Sequence, residues 1–243
     1  MATVRYQPLS PLLSGEGSRA FLGLEIVDGT QARPVVLIWV PEGIADDGEQ
    51  MGRLARDTHR ATLLDHPHLV RVLGLAALDE GMIRVVEYLD GESLRRVLDS
   101  VERLPPPLAA RVCADAAQGV HYAHEAGNDD GTPLVHGDIR PETVFVTFSG
   151  VAKVGGYGAL AVAPKEHSGQ RLRGRRLYST PEQLLGGRDT INRQTDVYLL
   201  GALLHRCLTG KAPFEGVEGF DTAVISSPLP AWDEGLAPEL RVV

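Results

Sequence analysis

The sequence is poor in the features that announce a secreted, membrane-spanning or nucleic-acid-binding protein. Its 243 residues contain two cysteines, Cys113 and Cys207. Two are too few for a disulfide framework, and both fall inside helix-like apolar patterns, so they read as buried thiols in a reducing compartment. No charged-then-apolar signal opens the chain. The longest apolar run, "VYLLGALL", has eight residues, far short of the roughly 18 that suggest a membrane span. Positive charge is scarce: 24 Lys and Arg face 32 Asp and Glu, a net charge of -8. That balance argues against nonspecific nucleic-acid binding and disfavours contact with an anionic membrane surface. Internal repeats and low-complexity segments are absent. What remains is ordinary for a soluble globular protein, 43% apolar and 23% charged, and long enough to bury a sizeable core.

Two different periodicities follow one another along the chain. "SRAFLGLEIV" and "VVLIWV" read as strands, with a hairpin signal at Asp28-Gly29. "EQMGRLARDTHRATLL" carries Met51, Leu54, Ala55 and Thr58 at helical spacing. "LVRVLGLAAL" and "GMIRVVEYL" read as two further strands joined at Asp79-Glu80-Gly81. After "DGESL" the character changes. "LAARVCADAAQGVHYAHEA" predicts an amphipathic helix opened by Pro105-Pro106-Pro107. "ETVFVTF" and "VAKVGGY" predict short strands, and "DVYLLGALLHRCLTG" a buried helix ended by Gly210. The pattern implies an α+β fold: an N-terminal lobe of antiparallel strands with one main helix over residues 1–90, and a mostly helical C-terminal lobe over residues 91–243.

The order of the segments is recognisable. "RPVVLIWV", "LDHPHLVRVLG", "VVEYLDGESL", "HGDIRPET", "GYG", "TPE" and "TDVYLLGALLHRCLTGKAPF" occur with the spacing of a protein kinase. The chain resembles a eukaryotic-type (Hanks-type) Ser/Thr protein kinase domain over nearly its whole length. The resemblance implies a bilobal kinase fold. It makes "HGDIRPET" the catalytic loop, Gly156 to Gly158 the metal-binding triplet, and Thr180 to Glu182 the end of the activation segment. It also implies a large lobe that lacks its last helices: another helix would begin at "PELRVV", and the arginine that would pair with Glu182 has no counterpart. Either the chain is the N-terminal piece of a longer protein or something else completes the lobe.

A kinase positions a phosphoryl group and neutralises its charge. It needs a glycine loop, a lysine on the phosphates, two oxygen ligands for magnesium and an aspartate for the substrate hydroxyl. The resemblance places the glycines on Leu13, Gly15 and Ser18, of which one remains; Gly17 lies nearby, and Arg19 is a candidate replacement cation. The lysine falls on Ile38 and its helix partner on Asp57. The metal ligands fall on Gly156, which has no side chain, and Thr143, a weak neutral donor. The base position is kept as Asp138, and His136 and Asp196 are kept as braces of the loop. The arginine before the base is Gly137, and the docking threonine falls on Arg175.

These losses predict a degenerate family member, a pseudokinase that is not an enzyme. It would bind no magnesium and little or no ATP, and would act in the cytoplasm as a scaffold or regulatory module in signalling. Its partner would be a protein, such as an active kinase or a second copy, with no nucleic acid or membrane contact. The alternative is a metal-independent nucleotide binder with residual phosphotransfer through Asp138. Arg171, Arg173, Arg175 and Arg176 form a candidate interaction patch, and Arg175 or Arg176 is expected to pair with Asp138.

Overall fold

The structure is a computed structural model and describes residues 3–12, 19–29, 31–127, 130–159, 176–186 and 190–227. The chain divides into two units. The first takes in the residues up to His66, then Val70–Asp90 and the turn at Tyr157-Gly158; the second contains Pro67–Leu69, Gly91–Gly156 and the rest.

The first unit is built on a five-stranded antiparallel sheet of order β1-β2-β3-β5-β4. Its strands are β1 (Val4–Pro11), β2 (Ala20–Val27), β3 (Gln31–Trp39), β4 (Val72–Leu78) and β5 (Gly81–Glu87). The β2–β3 hairpin turns where Asp28 and Gly29 both adopt positive φ, 51° and 74°. Paired residues Val35, Leu37, Ile83 and Val85 form one apolar face, backed by Tyr6, Phe21 and Trp39. Side chains alternate along a strand, so Ile38 and Arg84 point to the other face. That face carries Val40 and Leu75, which pack on the buried Ile44 of α1 (Glu42–Ala45) and Leu54 of α2 (Gly48–Thr62). Helix α2 starts where the Asp47 carboxylate accepts from the N–H groups of Glu49 and Gln50 at 3.0 and 3.1 Å. It buries the stripe Leu54, Thr58 and Ala61. β1 was not expected from the sequence: all but one of its residues are exposed, so it shows no apolar alternation.

The second unit is mainly helical, with a three-stranded antiparallel sheet of order β6-β7-β8. Its elements are β6 (Gly91–Ser93), α3 (Leu94–Val101), α4 (Pro106–Ala126), β7 (Val144–Thr147), β8 (Ala152–Val154), α5 (Pro181–Gly186), α6 (Arg193–Thr209) and α7 (Phe220–Ser226). The proline run does precede α4, and Gly210 does end α6 with φ 82°. Helices α3, α5 and α7 are too short, at 8, 6 and 7 residues, for the period to declare itself. Helix α4 runs past the Pro67–Leu69 segment at Gly119. A Cβ there would stand 2.6 Å from the His68 carbonyl oxygen, which is already fixed by the Val154 N–H at 2.9 Å.

Gly119→Ala therefore sets two effects against each other. Alanine gains about 1 kcal/mol of helix propensity, but overpacking against fixed backbone costs about 1–3 kcal/mol. We expect the overlap to win, with a thermal melt several degrees below wild type. An unchanged or raised midpoint would show that α4 can shift away from His68.

Candidate functional site

The site is assembled in the second unit around the loop between α4 and β7. Asp196, in the first turn of α6, is completely buried. Its carboxylate accepts from the backbone N–H groups of His136 (2.8 Å) and Gly137 (2.7 Å) and lies 2.7 Å from Nε2 of the buried His124. The loop thus hangs from one carboxylate whose charge is met by three hydrogen-bond donors. His136 is fully buried as well. Its Nδ1 accepts the Asp138 N–H at 3.1 Å, so Nε2 carries the hydrogen and donates to the Gly155 carbonyl at 2.8 Å. His136 therefore ties the loop to the strand end just before Gly156.

Two further residues complete the frame. Gln183 of α5 donates to the Gly137 carbonyl at 2.8 Å, while its side-chain oxygen accepts from the Thr180 N–H at 3.0 Å. Gly137 itself has φ 69°, and a Cβ there would be 3.1 Å from Ile191. Isoleucine fills the space next to the position where the resembled family carries arginine. Glu182 accepts a hydrogen bond from the Thr195 hydroxyl at 2.6 Å. Thr195 also belongs to the capping box of α6, donating through its backbone to Asn192 and accepting the Asn192 N–H at 3.0 Å.

Asp138 is nearly buried, 8% exposed. Arg140 Nε donates to its carboxylate at 3.1 Å, and Arg140 Nη1 lies 3.0 Å from Glu142. Burial alone would lower the Arg140 pKa, yet Asp138 and Glu142 together hold it above its ordinary value. Of the two arginines expected to pair with Asp138, Arg175 lies outside the described residues and Arg176 is engaged elsewhere. Arg176 pairs with Asp221, with Nε at 3.0 Å from Oδ1 and a second contact between Nη2 and Oδ2. Arg140 sits two residues from Asp138, on the same loop, so their contact is local. Arg171, Arg173 and Arg175 lie outside the described residues, as do Leu13, Gly15, Gly17 and Ser18.

Magnesium, implied by the resemblance, does not fit the donors present. Gly156 offers no side chain, and with φ 102° a Cβ there would already be 3.3 Å from His136 Nε2. The Thr143 hydroxyl is committed to the loop. It accepts the Arg140 N–H at 3.0 Å and lies 2.9 and 3.0 Å from the carbonyls of Asp138 and Arg140. Among the described residues no group of three or more His, Cys, Asp or Glu side chains is placed to hold a metal. In the first unit, Ile38 is an apolar strand residue, and Arg19 is exposed at the start of β2. Asp57, at the position of the lysine's helix partner, lies 3.9 Å from Arg60 of its own helix. Burial raises its pKa.

An antiparallel five-stranded sheet with one main helix, followed by a helical unit that hangs a His-x-Asp loop from a buried aspartate, defines a protein-kinase fold. The protein kinase domain family matches residues 15–227, and the chain belongs to it. The serine/threonine-protein kinase PknB of Mycobacterium tuberculosis is 32% identical over 204 residues, covering 79% of this chain and 31% of that protein. PrkC of Bacillus subtilis, also a serine/threonine-protein kinase, is 29% identical over 223 residues, covering 90% and 33%. PkaB of Streptomyces coelicolor is 32% identical over 224 residues, covering 87% and 50%. The chain thus spans a third to a half of the length of these relatives. The matches point to an enzyme and correct the expectation, drawn from Ile38, Thr143 and Gly156, that the chain is not one. No helix among the described residues is long and apolar enough to cross a membrane.

Proposed function

We propose that the chain is a kinase-family signalling domain that regulates a protein partner and transfers phosphate slowly, from a nucleotide held weakly and without magnesium. The carrying observation is the state of the loop. Asp138 is retained, oriented through its own N–H by His136 and through its carboxylate by Arg140, while Gly156 and Thr143 leave no donor pair for a metal. In this reading Asp138 takes the proton of a substrate hydroxyl as that oxygen bonds to the terminal phosphorus and the nucleoside diphosphate leaves. Without a metal to neutralise the phosphates, turnover falls by orders of magnitude, so binding carries most of the role. The partner is a cytoplasmic signalling protein, an active kinase or a second copy of the chain. Leu185 and Val197 of the second unit, 71% and 65% exposed, offer it apolar surface.

Transfer of labelled γ-phosphate from ATP to mixed Ser/Thr/Tyr peptides tests this. Incorporation is expected to be slow, to change less than about threefold between magnesium and EDTA, and to drop at least tenfold in Asp138→Asn, a barrier change of about 1.4 kcal/mol or more. A large rise with magnesium, or full activity in Asp138→Asn, would overturn the reading.

A further inference from the structure

The first unit contains a buried cation that none of the roles above uses. Arg84 lies in the middle of β5, directly across the ladder from Ile38. Residues opposite one another in an antiparallel pair share a face, here the face covered by α2. Arg84 is 4% exposed. Burial brings its pKa down to about 10, so it stays charged at neutral pH. Its Nη2 donates to the Tyr157 carbonyl. Its Nε has no hydrogen-bond partner among the described residues. One residue along from Asp57, the Thr58 hydroxyl is also buried on this side of α2 without a partner. The Tyr157-Gly158 turn reaches the same helix: a Cβ on Gly158 would be 2.7 Å from the Asp57 carbonyl oxygen.

A buried charge met by one neutral carbonyl is unfavourable unless something else completes it. The Nε and Nη2 edge of a guanidinium is a two-pronged donor that matches two oxygens of a phosphate. Here one prong is held by a backbone carbonyl and the other is unused. The adjacent strand position, Ile38, is where the family's phosphate-binding lysine would be.

We infer that Arg84 is the phosphate-recognising cation of this chain, relocated from β3 to the facing position on β5, with the Thr58 hydroxyl as a second donor. The ligand is the polyphosphate of a nucleotide, bound without a metal; an incoming phosphate takes Nε and displaces the Tyr157 carbonyl from Nη2. This rests on the metal-independent nucleotide reading proposed above, and it explains how that reading survives the loss at Ile38.

Titration calorimetry in EDTA with ATP and with inorganic tripolyphosphate tests it, on the wild-type chain and on Arg84→Met, Arg84→Lys and the double variant Ile38→Lys with Arg84→Met. Circular dichroism establishes which variants fold, and Arg84→Lys serves if Arg84→Met does not. Wild type is expected to bind both ligands. Arg84→Met should weaken both at least tenfold, Arg84→Lys by less, and the double variant should recover most of the loss by returning the cation to β3. Equal binding by wild type, Arg84→Met and Arg84→Lys would overturn the assignment while leaving nucleotide binding intact. No binding of either ligand by wild type would also overturn it. Whether transfer depends on Asp138 is read separately in the peptide assay, so failure of the Arg84 assignment and failure of the Asp138 role are told apart.

Discussion

Asp196→Ala is expected to be the most damaging single substitution in the second unit. The change strips the acceptor from two backbone N–H groups, at His136 and Gly137, and from the ring of His124, all within 2.8 Å of the carboxylate. Each buried donor left unmatched costs about 1–3 kcal/mol. Partial relaxation leaves a loss of about 3–5 kcal/mol, in the range for breaking a buried ionic contact. At roughly 2–4 °C per kcal/mol for a chain of this size, the melting midpoint should fall by about 6–20 °C. Asp196→Asn keeps one oxygen and should lose about half as much. If Asp196→Ala melted within a degree or two of wild type, the loop would have to be held by other contacts, and Asp196 would not be its anchor.

Gly158→Ala is expected to act on the first unit by a different route. Gly158 has φ 75°, and its missing Cβ would meet the Asp57 carbonyl oxygen at 2.7 Å and Ala61 Cβ at 2.9 Å. The left-handed conformation costs an alanine about 1–2 kcal/mol, and overpacking against α2 adds about 1–3 kcal/mol. The turn cannot retreat without stretching the Arg84 bond to the Tyr157 carbonyl. The expected result is a loss of about 2–5 kcal/mol, seen first as faster amide hydrogen exchange in α2. Unchanged exchange across Gly48–Thr62 would show that the turn and the helix are not packed tightly enough to matter.

The long, strongly periodic elements were legible in the sequence. Helices α2, α4 and α6 each run 15 residues or more, enough turns for the spacing to stand out. β1 and the four short helices were not legible, because the strand is almost wholly exposed and the helices complete only about one to two turns. At the site, the resemblance implied that His136 and Asp196 brace the loop, and both make buried hydrogen bonds to its backbone. Gln183 and Thr195 were missed. Both act through hydrogen bonds to residues distant in sequence, and a glutamine or threonine beside a motif carries no spacing signal. Arg84 did leave a trace: it is the one charge inside the apolar run "MIRVV".

By itself the sequence determined what two positions cannot supply: a glycine at position 156 has no side chain, and an isoleucine at position 38 has no charge in any conformation. It also determined the family, through the order of its segments. The tertiary structure decided who pairs with whom. It gave Asp138 to Arg140 and Arg176 to Asp221, supplied Thr195 to Glu182, and set Arg84 opposite Ile38. Those pairings depend on strand register and helix packing between residues far apart in the chain. A side chain's charge is fixed when the chain is made, but the partner that neutralises it is chosen only when folding excludes water from around it.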